Sequence, residues 1–243
     1  MAHILFISDL HLSPATPELN AQFRRFLRGP ALTASSLYIL GDLFDAWIGD
    51  DDPSPFSAEV KNLLADAAAH LPVYFQHGNR DFLLGEVFAR ETGIHLLPDE
   101  YVLETPFAPW LLLHGDQLCT DDTEYQKARQ LLRSPAFKAQ AMAMSIPQRL
   151  EKAAEIRRMS GEAMAAKPEN IMDVNQDAVE ETMRRHQVRH MIHGHTHRPS
   201  LHEFSLDGQP AQRAVLADWK IPGSFALRLD SNSGDLLSIP IQG

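Results

Sequence analysis

The chain has 243 residues, of which 44% are hydrophobic and 22% charged, with 32 Asp+Glu against 22 Lys+Arg for a net charge of −10. That length suits one domain with a sizeable insert, and the composition excludes a disordered chain. The single cysteine, Cys119, excludes a disulfide framework within the monomer and a thiolate zinc ribbon, and the acidic balance argues against generic nucleic-acid binding.

Met1-Ala2-His3 lacks the basic region of a signal peptide. No apolar run approaches the roughly 20 residues of a spanning helix, so a cytosolic chain is expected. The first apolar run, 4–7, reads as a buried strand and leads into Ser8-Asp9-Leu10-His11. Thr16 then caps a helix with Pro17 at its first position and Leu19, Phe23, Phe26 and Leu27 on one face. A second strand, 37–40, runs into Gly41-Asp42-Leu43-Phe44-Asp45. Trp47 follows, and it either lines a site or packs. Asp50-Asp51-Asp52 reads as a solvated loop rather than a calcium site. Ser57 caps a second helix, with Val60, Leu63, Leu64 and Ala67 as its apolar stripe.

Strand 73–75 runs into Gln76-His77-Gly78-Asn79-Arg80-Asp81, strand 110–113 into His114-Gly115-Asp116, and strand 188–192 into His193-Gly194-His195-Thr196-His197. Phe82 has the same two readings as Trp47. The tail runs 214–217, 225–229 and 236–239 are separated by turn residues and read as antiparallel strands. Helices alternating with the first strands give a mixed α/β layered domain.

Residues 125–167 stand apart. They hold nine Lys and Arg against three Glu, a net +6, which leaves −16 to the rest. The segment is rich in Ala, Met and Leu, with breaks at Pro135 and Pro147. It reads as a helical insert within one domain. It serves either as a hairpin packed on the core or as a lid with an apolar and a basic side. Residues 125–167 contain none of the polar strand tips, so the insert is expected to serve the substrate and not the chemistry.

Each of five strands ends in His, Asp or Asn, and ligands gather at the carboxyl ends of strands in open α/β sheets. Imidazole, carboxylate and amide donors without thiolate suit manganese, iron or zinc. Period-2 spacing in extended backbone would present Asp9 with His11, and His195 with His197, on one face. Gly41 and Gly194 allow tight turns. Asp42 is assigned as the carboxylate that bridges two ions. His77 and His193 read as strand-end or supporting residues, Asp45 and Asp116 as residues that orient ligands or shape turns, and Cys119 as a bystander.

The series Asp9-x-His11, Gly41-Asp42-x-x-Asp45, Gly78-Asn79-Arg80-Asp81, His114 and Gly194-His195-x-His197 resembles the calcineurin-like metallophosphoesterases. The resemblance implies a two-sheet sandwich flanked by helices. It also implies one metal on Asp9, His11, Asp42 and His197 and another on Asp42, Asn79, His114 and His195. Many members of that family carry His where this chain has Arg80. Arginine cannot act as an acid, but it binds phosphate bidentately. That suits a leaving group that is itself a phosphate, and so cleavage of a phosphoanhydride.

Longer stretches narrow the resemblance. Residues 7–12, 40–51, 78–85, 171–175 and 192–199 are similar to a branch of the family that acts in lipid A biosynthesis of Gram-negative bacteria. The branch implies hydrolysis of UDP-2,3-diacylglucosamine to lipid X and UMP, with two Mn2+ per chain and a water activated between them attacking the α-phosphorus. It implies a peripheral position on the cytoplasmic face of the inner membrane. It assigns catalysis to Asp42, Asn79, Arg80 and His195, and substrate contacts to Asn79, Arg80, Asp122, Ser160, Met164, Lys167 and His195. The family often has Asn at the position of Met164. A metallophosphoesterase or nuclease with another substrate is the alternative, and a non-catalytic scaffold a third reading. No nucleic-acid partner and no obligate protein partner is evident in the sequence.

Overall fold

The computed structural model describes residues 3–165 and 173–241. Strands β1 (His3–Ile7), β2 (Ser36–Leu40) and β3 (Val73–Gln76) are separated by helices α1 (Pro17–Arg28) and α2 (Pro55–Ala68). Then come α3 (Glu86–Thr92), β4 (His95–Leu96), β5 (Glu100–Leu103) and β6 (Trp110–Leu113). Three helices follow without a strand: α4 (Thr123–Arg133), α5 (Pro135–Ala143) and α6 (Ile146–Ala165). The chain ends with α7 (Gln176–Arg185), β7 (His190–His193), β8 (Ser200–Leu206), β9 (Gln209–Val215), β10 (Phe225–Asp230) and β11 (Leu236–Pro240).

The strands form two sheets, in the orders β11-β10-β1-β2-β3-β4 and β5-β6-β7-β9-β8. Period-2 alternation decides what each face meets. Ile4 and Phe6 of β1, Tyr38 and Leu40 of β2, and Trp110 and Leu112 of β6 fill the space between the sheets. Leu5, Ile7, Leu37 and Ile39 point the other way and pack under α1, α2 and α3 through Phe23, Phe26, Leu64 and Phe88. Leu111 and Leu113 do the same on the second sheet beneath Val179 and Met183 of α7. The result is a two-sheet sandwich flanked by helices, as the motif series implied. Among the described residues no helix is long and apolar enough to cross a membrane.

Several local expectations change. The cap of α2 is Ser54, whose Oγ accepts from Ser57 N at 3.1 Å, so the helix starts at Pro55, ahead of the expected Ser57. Thr16 precedes α1 but makes no side-chain cap bond, because its hydroxyl donates to Ser13 O. The tail is not purely antiparallel: β9 pairs parallel with β7 and antiparallel with β8. Asp50-Asp51-Asp52 is engaged throughout. Asp50 accepts from Trp47 Nε1, Gly85 N and Phe88 N, Asp51 pairs with Arg149, and Asp52 accepts from Ser54.

Parallel pairing of β1, β2 and β3, and of β6 and β7, sends their carboxyl ends to one rim. Asp9, Asp42, Asn79, His114 and His195 all follow those ends.

Candidate metal centre

The rim loops are stitched to one another. Asp9 N donates to Gly41 O at 3.1 Å, and Leu10 N and His11 N both donate to Asp42 O, at 2.9 and 3.0 Å. Gly194 N donates to His114 O at 2.8 Å, which joins the loops that follow the neighbouring strands β6 and β7. The backbone here is not extended. Asp9, His11, Asp42, His195 and His197 have φ of 55°, 50°, 51°, 69° and 54°. Left-handed residues that are not glycine cost of order 1 kcal/mol or more each, and such strain gathers at functional sites. Left-handed backbone, and not extended strand geometry, therefore brings the side chains of Asp9 and His11, and of His195 and His197, to the site. Gly41 has a φ of 86°. Gly194 serves differently: a Cβ there would strike the side chains of Ser8 and Asp9.

Two groups of donors face each other. In the first, His11 Nε2 lies 3.4 Å from His197 Nε2, which lies 3.3 Å from Asp9 Oδ1. In the second, Asn79 Oδ1 lies 3.1 Å from His114 Nε2 and 3.1 Å from His195 Nδ1. Asp42 stands between them, with Oδ1 3.8 Å from His114 Nε2 and Oδ2 4.0 Å from His11 Nδ1. Candidate ligand atoms of Asp9, His11 and His197 all lie within 4.8 Å of one another, and so do those of Asp9, Asp42 and His114. Asp9 is thus near both groups, which the motif-based division into two sets did not foresee.

The donor chemistry fits divalent ions. Nitrogens bound to one tetrahedral ion at about 2.1 Å lie roughly 3.4 Å apart, the separation of the His11 and His197 rings. His114 Nδ1 donates to Leu40 O at 2.8 Å, which orients the ring with Nε2 towards the cluster. Burial raises the Asp42 carboxyl to about 6, Asp9's charge adds to the rise, and His114 opposes it. For Asp9, burial also acts upward, but the His197 hydrogen bond and the nearby imidazoles hold it well below the usual range. Burial depresses His11 and His195 to about 4 each, so both present neutral rings. The neighbouring carboxylates outweigh burial at His114 and His197 and shift both upward. Buried carboxylates and imidazoles crowded in this way form an environment that a divalent cation relieves.

His193 is occupied elsewhere: Nδ1 donates to Gly194 O and Nε2 accepts from Arg213. His77 donates to Leu84 O at 2.6 Å. Asp81, unassigned in the sequence reading beyond its motif, ties two loops together. Its fully buried carboxylate accepts from Leu43 N at 2.8 Å and Gly78 N at 2.7 Å. Two backbone contacts of this kind leave no signal in sequence spacing. Asp45 pairs with Arg157 of α6.

A cavity of about 470 Å³ opens from the cluster. It is lined by His11, Asp42, Asn79, Arg80 and His195 and by the apolar side chains of Phe82, Leu132, Phe137, Met144, Ile156 and Met159. Asp122 and Ser160 also line it, although Asp122 spends one oxygen capping α4 through Tyr125 N at 3.0 Å. The Met164 side chain and Lys167 lie outside the described residues. Trp47 both packs and lines: its ring is 4.5 Å from Phe44 and it borders the cavity. Cys119 borders it too, with burial pushing its thiol up to about 12.

The sequence profile of the calcineurin-like phosphoesterases matches residues 2–199. A UDP-2,3-diacylglucosamine hydrolase of Serratia proteamaculans (strain 568) is 48% identical over 237 residues, covering 97% of this chain and 98% of the relative. One of Escherichia coli O17:K52:H18 (strain UMN026 / ExPEC) is also 48% identical, with the same coverage of 97% and 98%. A solved structure of an archaeal phosphodiesterase superposes with a TM-score of 0.49 at 14% identity, covering 98% of this chain and 99% of that one. With two sheets whose parallel strands end in these donors, and with relatives matched from end to end, the chain belongs to the calcineurin-like phosphoesterases and, among them, to the family of the UDP-2,3-diacylglucosamine hydrolases.

Proposed function

We propose that this protein hydrolyses the pyrophosphate of UDP-2,3-diacylglucosamine to lipid X and UMP, as a step of lipid A biosynthesis. The observation that carries this reading is a cavity lined both by the metal-ligand donors and by apolar residues of the insert. One ion would be held by Asp9, His11, Asp42 and His197, and a second by Asp42, Asn79, His114 and His195. Oxygen and imidazole donors without thiolate suit Mn2+. When bound, such ions supply Lewis-acid polarisation of phosphoryl oxygens and a water nucleophilic at neutral pH.

The chain's own residues do the rest. Arg80 lines the cavity, and its guanidinium has no carboxylate partner among the described residues. It is therefore available to clamp the phosphates and to take up charge as water attacks the α-phosphorus in line. Its backbone N donates to Asp42 Oδ1 at 2.8 Å, which fixes the clamp beside the bridging carboxylate. Lipid X leaves as a phosphate monoester, so no side chain has to protonate an alkoxide. Asp122, Ser160 and Lys167 would meet the phosphate and sugar, and Met164 replaces a polar contact common in the family.

The insert 125–167 then acts as a lid. Leu132, Phe137, Ile156 and Met159 would receive acyl chains, with burial worth about 25 cal/mol per Å² of apolar surface. Its outer side exposes Leu131, Met142 and Leu150, which would sit at the cytoplasmic surface of the inner membrane. Fewer basic residues face outward than the charge count implied. Arg129, Arg133, Arg149 and Arg157 turn inward to Asp99, Asp116, Asp51 and Asp45. The same inward turn weakens the nuclease alternative, which rested on that basic charge.

Rates on diacylated UDP-glucosamine, a short DNA and a soluble phosphodiester with a good leaving group test this reading, each with Ile156→Asp beside the parent protein. The parent should prefer the diacylated nucleotide sugar. The variant places a charge on the apolar lining. It should raise KM for the lipid by roughly tenfold or more while the soluble diester is cleaved as before. A preference for DNA, or equal loss on both of the other substrates, would overturn it.

A further inference from the structure

Tyr125, Arg129 and Arg133 recur every four residues on α4, so they share one face of that helix. All three converge on one oxygen. Asp116 Oδ2 accepts from Tyr125 Oη at 3.0 Å, Arg129 Nε at 2.8 Å and Arg133 Nη2 at 3.2 Å. The Asp116 side chain is wholly buried and lies two residues beyond His114. The same helix face reaches two further loops. Arg133 Nη2 also donates to Gly78 O at 3.0 Å and His77 O at 3.3 Å, immediately before Asn79. The Tyr125 ring lies against that of His195, with centroids 5.8 Å apart. Asp99 holds both arginines from the other side, at 2.9 Å for Arg129 and 3.1 Å for Arg133.

These contacts fall on the loops that carry His114, Asn79 and His195. We infer that α4 is a structural part of one metal subsite: it positions Asn79, His114 and His195, so the affinity of that ion depends on docking of the insert while the affinity of the ion on Asp9, His11 and His197 does not. The inference rests on the two-ion reading above. Groups behind the ligands fix their orientation, and their loss costs roughly 10- to 100-fold in metal affinity. Arg133 is suited to the task because a planar fork can serve two backbone carbonyls and two carboxylates at once, which a lysine cannot.

The test is a titration of metal-stripped, full-length protein with Mn2+, in which free ion is followed by electron paramagnetic resonance. The parent should bind two ions. Arg133→Gln should keep one at parental affinity and weaken the other by roughly tenfold or more. Tyr125→Phe keeps the ring on His195 and removes only one donor to Asp116, so it should weaken the same ion by less. If Arg133→Gln does not fold, Tyr125→Phe decides the matter alone. Arg149→Gln loosens the insert elsewhere, at Asp51 (2.6 Å) and Ile48 O (2.7 Å), and should leave both ions bound as before. Parental affinity for both ions in Tyr125→Phe and any folded Arg133→Gln would overturn the inference. So would an equal loss in Arg149→Gln, which would mean that the insert only supports the core. Binding of fewer than two ions by the parent would instead remove the two-ion reading.

Discussion

Asp42→Ala is expected to lower turnover by about a thousandfold or more and to leave the protein with at most one weakly held ion. The side chain stands between two groups of donors, with one oxygen towards His114 and the other towards His11. No neighbour can take its place. Asp9 lies near both groups, but its Oδ2 already accepts from Ser8 Oγ at 2.6 Å and His195 N at 2.9 Å. The substitution also removes the acceptor of Arg80 N, so the phosphate clamp loses its tie to the cluster. Metal content by elemental analysis and kcat with saturating Mn2+ measure the two effects, with far-ultraviolet circular dichroism to show that the fold is retained. Full turnover with two bound ions would remove Asp42 from the bridging role.

Arg80→Ala is expected to act on the other half of the site. It should lower kcat by about 10²- to 10³-fold, the worth of one group aimed at developing charge, while metal content stays at the parental value. The backbone N of residue 80 survives in the alanine variant and continues to hold Asp42 Oδ1. Arg80→Lys should recover part of the loss, because it restores the charge but not the two-pronged geometry. Loss of about one ion per chain in Arg80→Ala would show instead that the guanidinium supports a metal ligand.

The donor residues of this site are legible in the sequence because each sits directly after an apolar run. A strand in a sandwich must be apolar, and the first polar residues after it are then conspicuous. Gly41-Asp42 and Gly194-His195 stand out for that reason, and the parallel pairing of β1, β2 and β3 brings the tips together as expected. What the spacing concealed is backbone conformation. Asp9 and His11 look like alternate residues of a strand, yet both are left-handed, held by bonds to Gly41 O and Asp42 O that come from another loop.

Edges were harder to read than the middle. β5 and β8 lie at the margins of the second sheet, and β8 exposes most of its residues, so neither shows a buried apolar run. Charge was misleading as well. The +6 of the insert reads as a surface feature, but Arg129, Arg133 and Arg149 are largely buried against carboxylates of the acidic body. Sequence distance hides such pairings: Arg149 and Asp51 are 98 residues apart. Contacts between the insert and the metal-donor loops are hidden in the same way: Arg133 holds the carbonyl before Asn79.

The central claim is that water attacks the nucleotide α-phosphorus in a cavity shared with the insert. It is tested most directly by hydrolysis of UDP-2,3-diacylglucosamine with Mn2+ in water enriched in oxygen-18, with both products analysed by mass spectrometry. Attack at the α-phosphorus places one heavy oxygen in UMP and none in the phosphate of lipid X. Label in the lipid X phosphate, or failure of the purified, metal-loaded protein to release UMP at all, would contradict the account.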